Sequence, residues 1–148
     1  MNEKEALLQA CFSYVNKRIA SYKDEIETIK ESIETNDKSN DMEDDSGNGK
    51  LFNDLEKNAQ HLADATKTLD TLKLINPKKS FDTISLGSIV KTTQNTFFIS
   101  ISMGTIDIGN NNYFGISLLS PIGQLLKGKQ VGDSITFNGY THEILEIK

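Results

Sequence analysis

The chain has 148 residues, of which 36% are hydrophobic and 7% aromatic with no Trp, and it carries a formal net charge of −5. That length holds one ordinary domain or two small ones, and so little apolar mass is poor material for a thick round core, so part of the chain is expected to be elongated. The acidic balance excludes a sequence-blind grip on nucleic-acid phosphate, a single Cys excludes an internal disulfide framework, and Cys11 with only His61 and His142 leaves little for a structural zinc site.

The N-terminus, MNEKEALLQACF, lacks the apolar run of a signal-peptide core, and no stretch of about 18 apolar residues could span a bilayer. A cytoplasmic protein with no membrane partner is expected. From about Asn2 to Thr35 the apolar positions Leu8, Cys11, Val15, Ile19, Tyr22, Ile26, Ile29 and Ile33 step by 3, 4, 4, 3, 4, 3 and 4. This spacing lines one face of a helix with a narrow seam, which predicts a helix of roughly 50 Å at the standard rise.

A second seam runs through Leu51, Leu55, Ala59, Leu62, Ala65 or Thr66, Leu69 and Leu72. An isolated narrow-seamed helix is marginal in water, so the two predict an antiparallel coiled-coil hairpin over residues 1–76, with residues 36–50 as its tip. Cys11 is read as a small buried seam residue, and both His as surface or edge positions.

Asn76-Pro77 ends the second helix, because Pro has no amide hydrogen to give. The period then changes to two. Ile89-Val90, the alternation from Phe97 to Met103, Ile106 with Ile108, Phe114 with Ile116, Ile135 with Phe137, and Ile144 to Ile147 predict five or six short strands over residues 80–148. Asn138-Gly139 is a hairpin turn signal. One helix interrupts the strands: Ser120 can cap it, Pro121 suits its first turn, Ile122, Leu125 and Leu126 give it an apolar side, and Gly128 can close it. The fold class expected is therefore α+β, with that short helix covering one face of an antiparallel sheet.

Neither Cys11 nor His61 has a neighbour suited to nucleophilic catalysis, and Gly47-Asn48-Gly49-Lys50 lacks the spacing of a phosphate loop. The densest charge is in the tip, where Asp41, Glu43, Asp44 and Asp45 occupy four of five positions. A calcium-loop frame beginning at Asp41 fails, with Ser46 where the sharp-turn Gly belongs and Phe52 where the bidentate Glu belongs. A solvated charge run is the plain reading. Magnesium, however, is often held by one or two protein carboxylates plus oxygens from elsewhere, so acids delivered at the end of a helical rod could complete a metal site inside a larger enzyme.

The run Ser120-Pro121-Ile122-Gly123-Gln124-Leu125-Leu126-Lys127-Gly128-Lys129, followed by Val131-Gly132-Asp133 and two closing strands, resembles the C-terminal domain of the Gre (GreA/GreB) transcript-cleavage factors of bacterial RNA polymerase. The preceding hairpin with its acidic tip is similar to their coiled coil. The resemblance implies an FKBP-like sheet domain that docks on the polymerase through Ser120, Pro121 and Ile122, while the hairpin enters the secondary channel. It further implies that Asp41 and Asp44, spaced as the family's acidic pair, share a Mg2+ ion with the polymerase only when bound to it, with Glu43 and Asp45 as further candidates.

On that reading the protein is a monomer with no cofactor of its own and no enzyme activity of its own. It stimulates cleavage of backtracked nascent RNA, which it touches only indirectly. The tip departs from the family in having Asp where Glu is usual and in the flexible residues Ser46 to Gly49. An anti-Gre branch of like architecture inhibits the polymerase, which leaves an inhibitor as the alternative, and a free-standing FKBP-like interaction module or prolyl isomerase as a third. The third needs an aromatic-lined pocket.

Overall fold

A computed structural model describes residues 2–39 and 45–148, with side chains other than those of residues 37–39 and 45–47. Its elements are α1 (Glu3–Ser39), α2 (Asp45–Lys73), β1 (Ile89–Thr92), β2 (Thr96–Ile99), β3 (Gly104–Ile108), β4 (Asn111–Ile116), α3 (Pro121–Leu126), β5 (Ser134–Phe137) and β6 (Tyr140–Ile147). This is a long helical pair followed by a six-stranded, mostly antiparallel sheet with one short helix. Among the described residues, no helix is long and apolar enough to cross a membrane.

The chain forms two compact units, Val15–Leu69 and a second made of Met1–Tyr14 with Asp70–Lys148. In the first, the two seams meet. Val15, Ile29 and Ala65 are buried, and Ile19, Tyr22, Ile26, Ile33, Leu51, Leu55, Leu62 and Leu69 are at least half-buried. Ala65 rather than Thr66 faces inward, and Ala59 is exposed. The helices are pinned in antiparallel register by a stack of Tyr22 on His61, with ring centroids 5.4 Å apart, and by Asn36 Nδ2 donating to Asn48 Oδ1 at 3.1 Å. Helical backbone enters residues 36–50 from both sides, reaching Ser39 and resuming at Asp45, so Ser46 to Gly49 are helical.

In the second unit the strand order is β3-β4-β2-β1-β6-β5. All neighbours run antiparallel except β2 and β4, which pair in parallel through Phe97 with Phe114, Phe98 with Gly115 and Ile99 with Ile116. The antiparallel sheet with one short helix expected from the sequence is present, with this one parallel pair inside it. The physical reason is a crossover: the chain leaves the ladder after Ile99, builds β3 at the edge, and hairpins back so that β4 fills the space beside β2. The expected strand from Phe97 through Met103 stops early for the same reason.

Alternation gives the sheet two buried faces. Val90, Phe97, Ile99, Ile135 and Ile144 form one cluster, closed by Ile84 and by Leu126 of α3. The opposite face carries Ile89, Phe98, Ile106 and Tyr113. It is met by the start of α1, since Cys11 Sγ lies 3.7 Å from Ser100 Oγ and Tyr113 hydrogen-bonds Glu3. Cys11 is thus buried as expected, but against the sheet as well as along the helix.

Candidate functional site

Two groups of residues carry the sequence-level functional expectations. Asp41, Glu43 and Asp44 lie outside the described residues, and Asp45 opens α2 with its side chain outside them. In chain order these acids join α1 to α2 just beyond Asn36 and Asn48, where the two helices are hydrogen-bonded to each other. Among the described residues no cluster of three or more His, Cys, Asp or Glu side chains could hold a metal ion.

The second group, Ser120, Pro121 and Ile122, is ordered by a tight set of local bonds. Ser120 has extended backbone (φ −70°, ψ 157°), and its Oγ accepts from Gly123 N at 3.1 Å while donating to Ser117 O at 2.6 Å. Leu119 N donates to Ser117 Oγ at 3.1 Å, and Gln124 Nε2 donates to Leu119 O at 3.0 Å. Ser120 thus caps α3, meeting an amide that a helix start leaves without a backbone partner.

Gly123 is required here: a Cβ at this position would stand 1.9 Å from Ser117 O and 2.9 Å from Leu118 Cα. The loop lies directly on the helix. Lys127 N closes the helix onto Gly123 O at 3.0 Å, whereas Gly128, at φ +79°, sends its amide across to Ile84 O at 3.0 Å. The expected Gly closure is therefore shared between two residues.

The three residues divide their roles by direction. Pro121 is exposed, and Leu119 beside it is 85% exposed, whereas Ile122 is half-buried and packs on the sheet cluster. Leu119 was missed by sequence reasoning, because nothing in the Leu118-Leu119 pair says which side chain turns outward. The outward apolar side chains are thus Leu119, Pro121 and, at 41% exposure, Leu125.

The two His part company in the structure. His61 is exposed, as expected, but His142 is buried, which corrects the surface or edge reading. Its strand β6 lies between β1 and β5, and its Nδ1 sits 3.3 Å from Thr92 Oγ1. The Thr92 hydroxyl gives one ring nitrogen a partner, which lowers the cost of burying it.

A further cluster, also unforeseen, binds the first turn of α1 to the sheet. Glu3 accepts from Tyr113 and from Lys148 Nζ, the latter at 3.2 Å. Partial burial opposes the carboxylate, but the hydrogen bonds from Tyr113 and Lys148 and the nearby ammonium charges outweigh it, and Glu3 is held below the usual range. Burial, reinforced by the Glu3 carboxylate, pushes Tyr113 up to about 12. Beside them Lys4 is buried, with its Nζ donating to Lys79 O at 2.5 Å and standing 4.8 Å from the centre of the Phe81 ring. Burial lowers its pKa against the pull of Glu3.

The architecture, a helical hairpin joined to a mostly antiparallel sheet with one short helix, is the one that the Gre resemblance implies. Among solved structures the chain is similar to GreA factor homolog 1 (Gfh1) of Thermus thermophilus, at 20% identity over 93% of this chain and 94% of that one, with a TM-score of 0.36. A second structure, of the transcription factor Gfh1, gives 21% identity over 93% of each chain and a TM-score of 0.35. Gfh1 of Thermus aquaticus gives 21% identity over 94% of each chain and a TM-score of 0.30. No family model and no curated protein matches the chain.

Proposed function

We propose that this protein is a transcription factor of the Gre type that binds bacterial RNA polymerase and stimulates cleavage of backtracked RNA. The observation that carries the reading is the pairing of four clustered carboxylates, Asp41 to Asp45, with the one junction between two antiparallel, seam-packed helices. Acids placed at the end of a helical pair are suited to donation, because the pair supplies stiffness that a free acidic loop lacks. The outward-facing Leu119 and Pro121, on either side of the Ser120 cap, support docking at the position that the resemblance names.

Carboxylate oxygens are the right donors for Mg2+, but one or two of them make an incomplete set, so the remaining ligands belong to the polymerase. Asp41 and Asp44 would hold the ion jointly with it, and when bound the ion supplies Lewis-acid stabilisation for attack by water. The protein itself provides positioning. Its source compartment on this reading is the cytoplasm.

An inhibitor of the same channel is the second reading, favoured by the crowding of four acids where a cleavage factor needs two. Purified polymerase stalled in a backtracked complex separates the readings. Release of short 3′ RNA fragments on addition of the protein supports stimulation. Slowed nucleotide addition without fragments supports inhibition.

A further inference from the structure

On the sheet face that meets α1, the second unit holds a polar cleft of about 300 Å³ that no part of the transcription reading uses. Its most deeply buried lining residues are Ile89 of β1 and Tyr113 of β4. Three strands each bring one polar side chain to a row across it. The register sets Lys91 of β1 opposite Thr96 of β2 on one side and opposite Glu146 of β6 on the other. Adjacent strands lie about 4.8 Å apart, so a hydroxyl, an ammonium and a carboxylate follow one another over about 10 Å.

The bonding of these groups narrows the ligand. Lys148 Nζ is shared between Glu3 at 3.2 Å and Glu146 at 3.7 Å, so Glu146 has only the longer of the two ion pairs. Among the described residues the Lys91 ammonium is in no ion pair and the Thr96 hydroxyl in no hydrogen bond. Lys91 and Glu146, although cross-strand neighbours, are thus not within ion-pair distance of each other. A simple anion at Lys91 would also face the Glu146 carboxylate, and a simple cation at Glu146 would face the Lys91 ammonium. Only a molecule carrying both charges meets each of them with its opposite. Beside the row, Asn112 gives its Nδ2 to Asp107 Oδ1 at 2.5 Å, which leaves its carbonyl oxygen as an acceptor in the cleft. The volume is at the small end for ligand sites, which excludes a folded partner.

We propose that this cleft binds a free α-amino acid with an uncharged polar side chain. Its carboxylate is taken by Lys91 Nζ and Thr96 Oγ1, its ammonium by Glu146, and its side chain by the amides of Asn111 and Asn112. The two charged groups of an α-amino acid are separated by one carbon, so they fit between side chains on neighbouring strands. Recognition comes from the charge-assisted bonds at both ends, which are stronger than neutral ones. The site does not depend on polymerase binding and is tested on the full chain alone.

The test is an NMR titration of the 15N-labelled protein with L-glutamine, N-acetyl-L-glutamine and L-glutaminamide. Acetylation removes the ammonium and amidation the carboxylate, each leaving the side chain intact. L-Glutamine is expected to give saturable shifts confined to residues 89–96, 111–113 and 146–148, with affinity at least about tenfold above that of either blocked compound. Lys91→Met and Glu146→Gln, both at exposed positions, are each expected to weaken L-glutamine binding about tenfold while leaving the remaining spectrum in place. Absence of saturable shifts at about 20 mM L-glutamine, a blocked compound bound as tightly as L-glutamine, or full affinity in either variant would each overturn the proposal.

Discussion

Tyr113 on β4 donates its phenolic hydrogen to the Glu3 carboxylate, joining the first turn of α1 to a strand 110 residues away in sequence. Lys148 Nζ bonds the other oxygen of the same carboxylate at 3.2 Å. Glu3 titrates below its ordinary value, so its contribution to stability is full above the unfolded carboxyl pKa and is lost as pH falls through the lower folded value. Tyr113 titrates above its ordinary value of 10.0, at about 12, so its contribution is full below pH 10 and is lost as pH rises towards 12. Urea denaturation of Tyr113→Phe should show a loss of about 1.5–3 kcal/mol at neutral pH and a flattened alkaline limb. In Glu3→Gln the acid limb should flatten, and the double variant should lose less than the sum of the singles, as expected of groups in contact.

Two glycines should respond in opposite directions to the same substitution. Gly49 lies within helix α2, where an added Cβ meets nothing within 4 Å. Gly49→Ala should therefore stabilise the helical pair by about 1 kcal/mol, read as a higher midpoint for loss of helical circular dichroism. Gly123→Ala puts a methyl group into the Ser117 carbonyl, with backbone on both sides of the clash. It should destabilise the sheet unit by about 3 kcal/mol or more.

Cys11 is fully buried, and burial pushes its thiol up to about 11 despite the Ser100 hydroxyl. Thiolate is the reactive form, so labelling by a thiol reagent at neutral pH should be slower than for the unfolded chain by on the order of a hundredfold or more. The rate should rise with denaturant in step with unfolding. Rapid labelling of the native protein would show that α1 does not rest against Ser100.

The candidate docking element offers a separation between folding and binding. Ser120→Ala removes the acceptor for Gly123 N and should cost about 1 kcal/mol of stability. Pro121 and Leu119 point outward, so Leu119→Ser and Pro121→Ala should change stability by no more than about 0.5 kcal/mol. On the transcription reading both should weaken polymerase binding several-fold in a competition assay.

Much of the fold is legible in the sequence because two periodicities are clean. The seam from Leu8 to Ile33 and its partner from Leu51 to Leu72 give the helices, and Asn138-Gly139 gives the last hairpin with both residues at positive φ. What the pattern hides is every choice that depends on distant chain. The parallel β2–β4 pair follows from a crossover, and no local spacing distinguishes it. The burial of Lys4 depends on Lys79 and Phe81, and that of His142 on Thr92. Cys11 fits a helical seam equally well whether its neighbour is a helix or a strand. At the candidate docking site, Ser120 and Pro121 announce a helix start, but only packing decides that Ile122 turns inward and Leu119 outward.

The central claim is that acids at the α1–α2 junction act as ligands in another enzyme. Its most direct test compares the native chain with Asp41→Asn/Asp44→Asn on purified, backtracked RNA polymerase, measuring both bound protein and released 3′ RNA fragments. The account predicts that the native chain releases fragments and that the double variant binds equally well but releases none. Undiminished cleavage by the double variant, or binding of the native chain with no cleavage at all, would contradict it.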